Sequence, residues 1–154
     1  MQPEIIRPIL TRLGFFSNPV SDEWSALEFS FEGVNMLFLP DDDEKCVMMA
    51  VPNIFGVDDE NRMLVYETAN ELNNSMKFLK AGILSNESVW LTYEHFLGSN
   101  EVSEEIVEHM IRLLGAGFVK FHNLINTDAE PADEEDETDD AMSDDLEEEE
   151  PEYE

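Results

Sequence analysis

The feature that most constrains the fold of this chain is the concentration of acidic charge at one end. Of its 37 Asp and Glu residues, 17 lie in residues 127–154, which contain no Lys or Arg. A segment of this composition repels itself and holds too few large apolar side chains to offset the entropy lost on ordering. We therefore expect residues 127–154 to be a disordered acidic tail and residues 1–126 to form one folded domain.

The overall charge also limits the classes of partner. The chain has only 8 Lys and Arg residues and a formal net charge of −29. Binding to nucleic-acid phosphates requires clustered basic side chains, and anionic membrane surfaces attract the same kind of cluster. The sequence therefore predicts neither a nucleic-acid partner nor a membrane partner.

The expected compartment is the cytoplasm. Cys46 is the single cysteine, so no internal disulfide can form, which is typical of a reducing environment. The first residues do not show the apolar run of a signal peptide, and no later run has the length of a membrane span.

The spacing of apolar residues in the first half of the domain predicts one helix followed by three strands. Apolar side chains three and four residues apart indicate a short helix that ends at Gly14. The spacing then changes to two, which is the period of a β-strand with two different faces. The predicted antiparallel strands cover residues 27–31, 34–39 and 46–51, and the third has apolar residues on both faces, as an interior strand does.

The second half predicts a helix, a two-stranded hairpin and a long helix. Asp58 and Asp59 are expected to cap the first of these helices. Ser99 and Asn100 are expected to cap the second helix, which should end near residue 126. The hairpin strands are predicted at residues 77–84 and 88–97. Gly115 and Gly117 each cost the last helix about 1 kcal/mol relative to Ala, so we expect a close contact or a bend there.

Four short segments of the domain resemble the YbjN-like family of bacterial proteins. They are the run Thr68-Ala69-Asn70-Glu71-Leu72-Asn73, the strand Lys77-Phe78-Leu79, the strand Val89-Trp90-Leu91 and the helix opening Ser103-Glu104-Glu105-Ile106. The resemblance covers roughly residues 3–125. It implies an α+β fold similar to that of class I type III secretion chaperones, a non-enzymatic and often dimeric domain, and a role in regulation or in holding other proteins. It supplies no active-site residue, and the acidic tail departs from the family pattern.

The residues themselves give no catalytic constellation. Cys46 has no nearby imidazole to lower the pKa of its thiol, so we interpret it as a structural thiol. The three histidines are His95, His109 and His122, and the last two lie thirteen residues apart, on different sides of the predicted helix. We expect no catalytic residue, no cofactor and no metal site, and thus no enzyme.

The acidic loop at residues 41–44 is interpreted as a solvated turn. A calcium loop starting at Asp41 would place Lys45 at a ligand position and Cys46 at the position that requires glycine. Aspartate favours turns because its side chain accepts hydrogen bonds from nearby backbone amides. The chain also lacks the glycine patterns that cradle phosphate groups.

Surface chemistry is the remaining place for a function. In a hairpin with a two-residue loop at Gly33, Leu37 and Leu39 lie on the sheet face opposite Phe29 and the core. In the second hairpin, Trp90 and Phe96 share a face. We predict that a partner or dimer surface includes these four apolar residues: Leu37, Leu39, Trp90 and Phe96.

Two functional hypotheses follow and remain open at this stage. The preferred one is a regulatory or chaperone-like module that binds a protein partner of unknown identity through its sheet and helix surfaces, with a homodimer as one form of association. The alternative is that the tail acts as a polyanion, which binds basic proteins or mimics nucleic acid.

Overall fold

The computed structural model describes residues 3–128. From residue 129 onward, the predicted acidic tail lies outside the described residues. The helices and strands follow one another in this order: α1 (Pro3–Arg12), β1 (Asn18–Pro19), β2 (Leu27–Phe31), β3 (Val34–Leu39), β4 (Cys46–Gly56), α2 (Arg62–Ser75), β5 (Leu79–Ile83), β6 (Ser88–Phe96) and α3 (Glu104–Asp128).

The strands form one antiparallel sheet in the order β1-β2-β3-β4-β6-β5. β6 returns beside β4 and carries β5 on its outer side, so β1 and β5 are the two edges. The α+β class and the element order predicted from the sequence are confirmed. The added element is β1, a two-residue strand.

The β2–β3 hairpin has the predicted register. Phe31 pairs with Val34 around the loop residues Glu32 and Gly33, whose φ angles are +49° and +81°. Two consecutive positive φ angles are typical of the type I′ turn, whose twist suits a two-residue hairpin. Glu28 therefore pairs with Leu37, and their side chains share a sheet face.

The core occupies one face of the sheet, and all three helices pack against that face. Its largest contributions come from Ile6 and Leu10 of α1, Val65 and Leu72 of α2, Met110, Leu114 and Phe121 of α3, and Phe29, Met36, Phe38, Met49, Leu91 and Tyr93 of the strands. Every sheet residue of this set points to the same side by the pairing register. The opposite face carries no helix within residues 3–128.

The glycines of α3 lie where the helix approaches the sheet, as predicted. A Cβ atom added at Gly115 would lie 2.9 Å from the ring of Phe31, and one added at Gly117 would lie 2.8 Å from Leu79. The missing side chains therefore allow α3 to rest directly on the sheet.

Several predicted boundaries are wrong. α3 begins at Glu104, and its first turn is capped by Ser103, whose Oγ accepts a hydrogen bond from the backbone amide of Ile106 at 3.2 Å; Ser99 and Asn100 lie in the preceding turn. α2 begins at Arg62 without a side-chain cap: the oxygen of its N-cap residue Asn61 accepts from the amide of Asp58, and the predicted cap Asp58 accepts from the amide of Asn61.

The strand β4 is longer than predicted. It continues past Pro52 to Gly56 across an irregularity between Val51 and Phe55. Proline cannot donate to the ladder, so a strand that continues past Pro52 is not expected from the sequence pattern.

Candidate functional site: the open sheet face

The face of the sheet without helices carries a continuous line of apolar residues across three strands. Leu37 lies beside Ala50, Leu39 beside Met48, and Cys46 beside Phe96. All of these side chains point away from the core, because their strand neighbours are core residues. We call this group the open-face strip: Leu37, Leu39, Cys46, Met48, Ala50 and Phe96.

Exposure within the open-face strip is uneven. Leu37 is only 7% exposed and Ala50 is fully buried, since both lie on central strands with side chains packed around them. Leu39, Cys46 and Met48 are half-buried. Phe96, at the end of β6, is 70% exposed. Leu37, predicted to belong to a partner surface, is therefore buried, and Phe96 is the most exposed member of the strip.

Trp90 shares this face but does not join the strip. It lies six residues before Phe96 on the same strand, which is about 20 Å away at the rise of a β-strand. Its indole Nε1 donates a hydrogen bond to Oδ1 of Asn53 at 3.1 Å, and Asn86 donates to the same oxygen. Asn53, in the irregular part of β4, is therefore tied to Trp90 of β6 and to Asn86 in the loop between β5 and β6.

Sequence reasoning missed Cys46, Met48 and Ala50 as members of this surface. The available signal was the apolar character of both faces of β4, which was used only to predict an interior strand. Placing these residues beside Phe96 requires the pairing of β4 with β6, which joins segments about forty to fifty residues apart in the chain.

Charged side chains border the open-face strip. Glu28 flanks Leu37, and Glu94 flanks Met48. Glu94 also lies 3.8 Å from the ammonium group of Lys80 on the edge strand β5. These groups mark the lateral borders of the strip.

The acidic loop closes one end of the strip, between Leu39 and Cys46. Asp41 accepts a hydrogen bond from the amide of Asp43, and Asp43 accepts one from the amide of Lys45, each at 3.0 Å. The interpretation of this segment as a turn built by Asp side chains is thus confirmed.

Cys46 has the chemistry of a protonated thiol. Its Sγ donates to Oδ2 of Asp43 at 3.8 Å. Partial desolvation and then the carboxylates of Asp43 and Asp41 raise the pKa of the thiol, because each disfavours the thiolate. Among the described residues, the neighbours that shift the pKa of Cys46 all disfavour the nucleophilic thiolate.

The histidines lie on the helical side, in contact with aromatic rings. Nδ1 of His109 lies 3.2 Å from the hydroxyl of Tyr93, and His95 stacks on the same tyrosine. His122 packs against Phe118, and burial lowers the pKa of its imidazole. Among residues 3–128, no three His, Cys, Asp or Glu side chains are grouped so that they could hold a metal ion.

None of the helices in the described part of the chain has the length and apolar character needed to cross a membrane.

Comparison with solved structures shows the same architecture in other proteins. The chain superposes on E. coli YbjN, described as "a putative transcription regulator", with a TM-score of 0.59, 15% identity, and coverage of 81% of this chain and 89% of that one. An uncharacterized protein from Methanothermobacter thermautotrophicus matches with a TM-score of 0.57, 17% identity, and coverage of 82% and 98%. The ExsC–ExsE complex contains a chain that matches with a TM-score of 0.56, 14% identity, and coverage of 79% and 92%. The fold is thus that of YbjN and of type III secretion chaperones.

Comparison with curated proteins found no match. Among protein families, the one described as "YbjN: Putative bacterial sensory transduction regulator" matches residues 2–123, which include all the strands and most of α3. The resemblance first indicated by the Asn-rich run of α2 is therefore confirmed, and the chain belongs to the YbjN family.

Proposed function

We propose that this domain is a non-enzymatic, regulatory or chaperone-like module that binds a protein partner on the open face of its sheet. The observation that carries the proposal is Phe96, an aromatic side chain exposed at the end of an apolar strip that none of the helices in residues 3–128 covers. Aromatic residues that can become fully buried are typical anchors of protein interfaces.

The surface has the composition of an interface centre. Burying Phe96 completely contributes about 1.5–3 kcal/mol before the cost of association is subtracted. Leu39, Cys46 and Met48 are half-buried and add apolar area around it. Leu37 and Ala50 are already buried within the chain and pack beneath this apolar area.

The comparisons support the same class of function. The family carries the description "Putative bacterial sensory transduction regulator", and one protein of similar fold forms a complex with a second protein. The non-enzymatic part of the proposal is supported by the raised pKa of the Cys46 thiol and by the packing of the three histidines against aromatic rings. Within the proposal the domain acts in the cytoplasm, where Cys46 stays reduced.

A pull-down from the native cell extract with two matched variants tests the proposal. Phe96→Glu places a charge on the open face, whereas Met63→Glu places one on α2, where Met63 is 68% exposed. We expect at least one protein to be captured by the wild type and by Met63→Glu but lost with Phe96→Glu. Identical captured proteins for the two variants would contradict the proposal.

The same experiment addresses the polyanion alternative. If the open face binds the partner, capture survives removal of residues 129–154. Loss of capture on truncation, together with capture by Phe96→Glu, would favour the tail as the binding element.

A further inference from the structure

The charges around the open-face strip indicate the chemistry of its partner, and this inference rests on the proposed function. Carboxylates border the strip on three sides: Glu28 beside β3, Glu94 beside β4, and residues 41–44 at the end of the strip. Two ammonium groups, those of Lys45 and Lys80, lie in the same region. The border therefore carries a net negative charge around an apolar centre.

A cavity next to the acidic loop extends this border. It has a volume of about 460 Å³ and is lined by Trp24, Glu23, Asp42, Glu44 and neighbouring loop residues. Trp24 is exposed. An indole face beside carboxylates suits a guanidinium or ammonium group, which the ring attracts through its quadrupole and the carboxylates through charge.

A second copy of this chain does not suit the surface. Two-fold pairing of the strip would bring the carboxylate border of one copy against the carboxylate border of the other. Like charges placed opposite each other disfavour association, and the few bordering lysines do not balance them.

We infer that the open face binds a cationic amphipathic protein segment, in which apolar side chains cover Phe96, Leu39 and Met48 and a flanking Arg or Lys enters the cavity beside Trp24. Apolar contact supplies the anchor, because Phe96 is the most exposed member of the strip. The carboxylates around it select cationic over neutral or acidic partners.

Three synthetic peptides of equal length test the inference on the full-length chain. The first alternates Leu with Lys and Arg on the two faces of one helix, the second replaces Lys and Arg by Gln, and the third replaces Leu by Ser. We expect the first peptide to bind most tightly in calorimetry at physiological salt. The second and third peptides are expected to bind more weakly.

Variants of the chain separate the apolar contact from the charge. Phe96→Ser should weaken binding of the first peptide about tenfold, the size of an interface anchor, whereas Met63→Ser should not change it. The double variant Asp42→Asn/Glu44→Gln should weaken binding roughly threefold. The control double variant Glu67→Gln/Glu71→Gln removes the same number of charges from α2. It therefore measures how much binding weakens when only the net charge of the chain changes.

The outcomes distinguish the two proposals. If Phe96→Ser leaves binding unchanged, the open face is not the binding surface and the proposed function fails with the inference. If binding depends on Phe96 but the Gln peptide binds as tightly as the cationic one, the open face is the binding surface. The inference that its partner is cationic is then contradicted. A Phe96-dependent dimer in sedimentation without peptide would assign the face to a second copy and overturn the inference.

Discussion

Phe78 shows how a single residue can hold a conformation that its type disfavours. It lies between α2 and β5 with φ of +70°, although its side chain is bulky and 65% exposed. A left-handed backbone costs an L-residue with a Cβ atom about 1–2 kcal/mol. The ring stacks on Tyr93 at 5.7 Å and meets His109 edge to face, so aromatic contacts offset part of the strain.

A comparison of two substitutions at this position tests the strain. We expect Phe78→Gly to be more stable than Phe78→Ala by about 1 kcal/mol, because glycine adopts positive φ without penalty. Chemical denaturation measures the difference. In an ordinary strand or helix, the alanine variant is the more stable of the two. If Phe78→Ala is also more stable than Phe78→Gly, the positive φ does not strain this position.

Gly115 sets the distance between α3 and the sheet. Gly115→Leu should lower the free energy of unfolding by about 1–3 kcal/mol, because even its Cβ would lie within 3.0 Å of two atoms of the Phe31 ring. Ala116→Leu is the matched control on the exposed side of the same helix turn and should have little effect. Thermal unfolding of both variants measures the difference, and equal stability would show that α3 can move away from the sheet at no cost.

At the scale of elements, the two edges of the sheet are protected in different ways. β1 has only two residues, and one of them is Pro19. Along β5, the side chain of Asn73 takes the place of a neighbouring strand: its Nδ2 donates to the carbonyl of Ala81 at 3.1 Å, and its Oδ1 accepts from the amide of Ala81 at 2.7 Å. Short edges, proline and covered backbone groups all reduce pairing with other chains.

Removal of the Asn73 amide should therefore open the β5 edge. We expect Asn73→Ala to lose about 1 kcal/mol of stability and to associate at high concentration, because the amide and carbonyl of Ala81 lose their partners. Asn74→Ala, on the exposed side of α2, is the control. Chemical denaturation measures the loss of stability, and sedimentation velocity measures the association. If Asn73→Ala and Asn74→Ala behave alike in both experiments, Asn73 does not protect the β5 edge.

Local patterns predicted the elements well but not their assembly. The hairpin loop at Gly33 fixed the register of β2 and β3, and thus the face of Leu37 and Leu39. Phe96 reaches the strip only through the pairing of β4 with β6, which no local spacing encodes. Two residues that include a proline carry no period, so the sequence does not predict β1. The predicted third strand ends at residue 51, because the apolar pattern does not show that β4 continues past Pro52.

At the scale of the whole molecule, the domain is a single sheet covered on one face. The three helices bury the apolar side chains of that face in one core, which leaves the other face to the open-face strip. We propose that a protein partner binds the face that the helices of residues 3–128 leave open.

Two methionines of the chain report on this claim directly. Met48 lies in the open-face strip, and Met63 is exposed on α2. We propose to label the methionine methyl groups with carbon-13 and to record their NMR signals while adding the partner captured in the pull-down. The account predicts that the Met48 signal shifts or broadens and that the Met63 signal does not; a response of Met63 with an unchanged Met48 would contradict it.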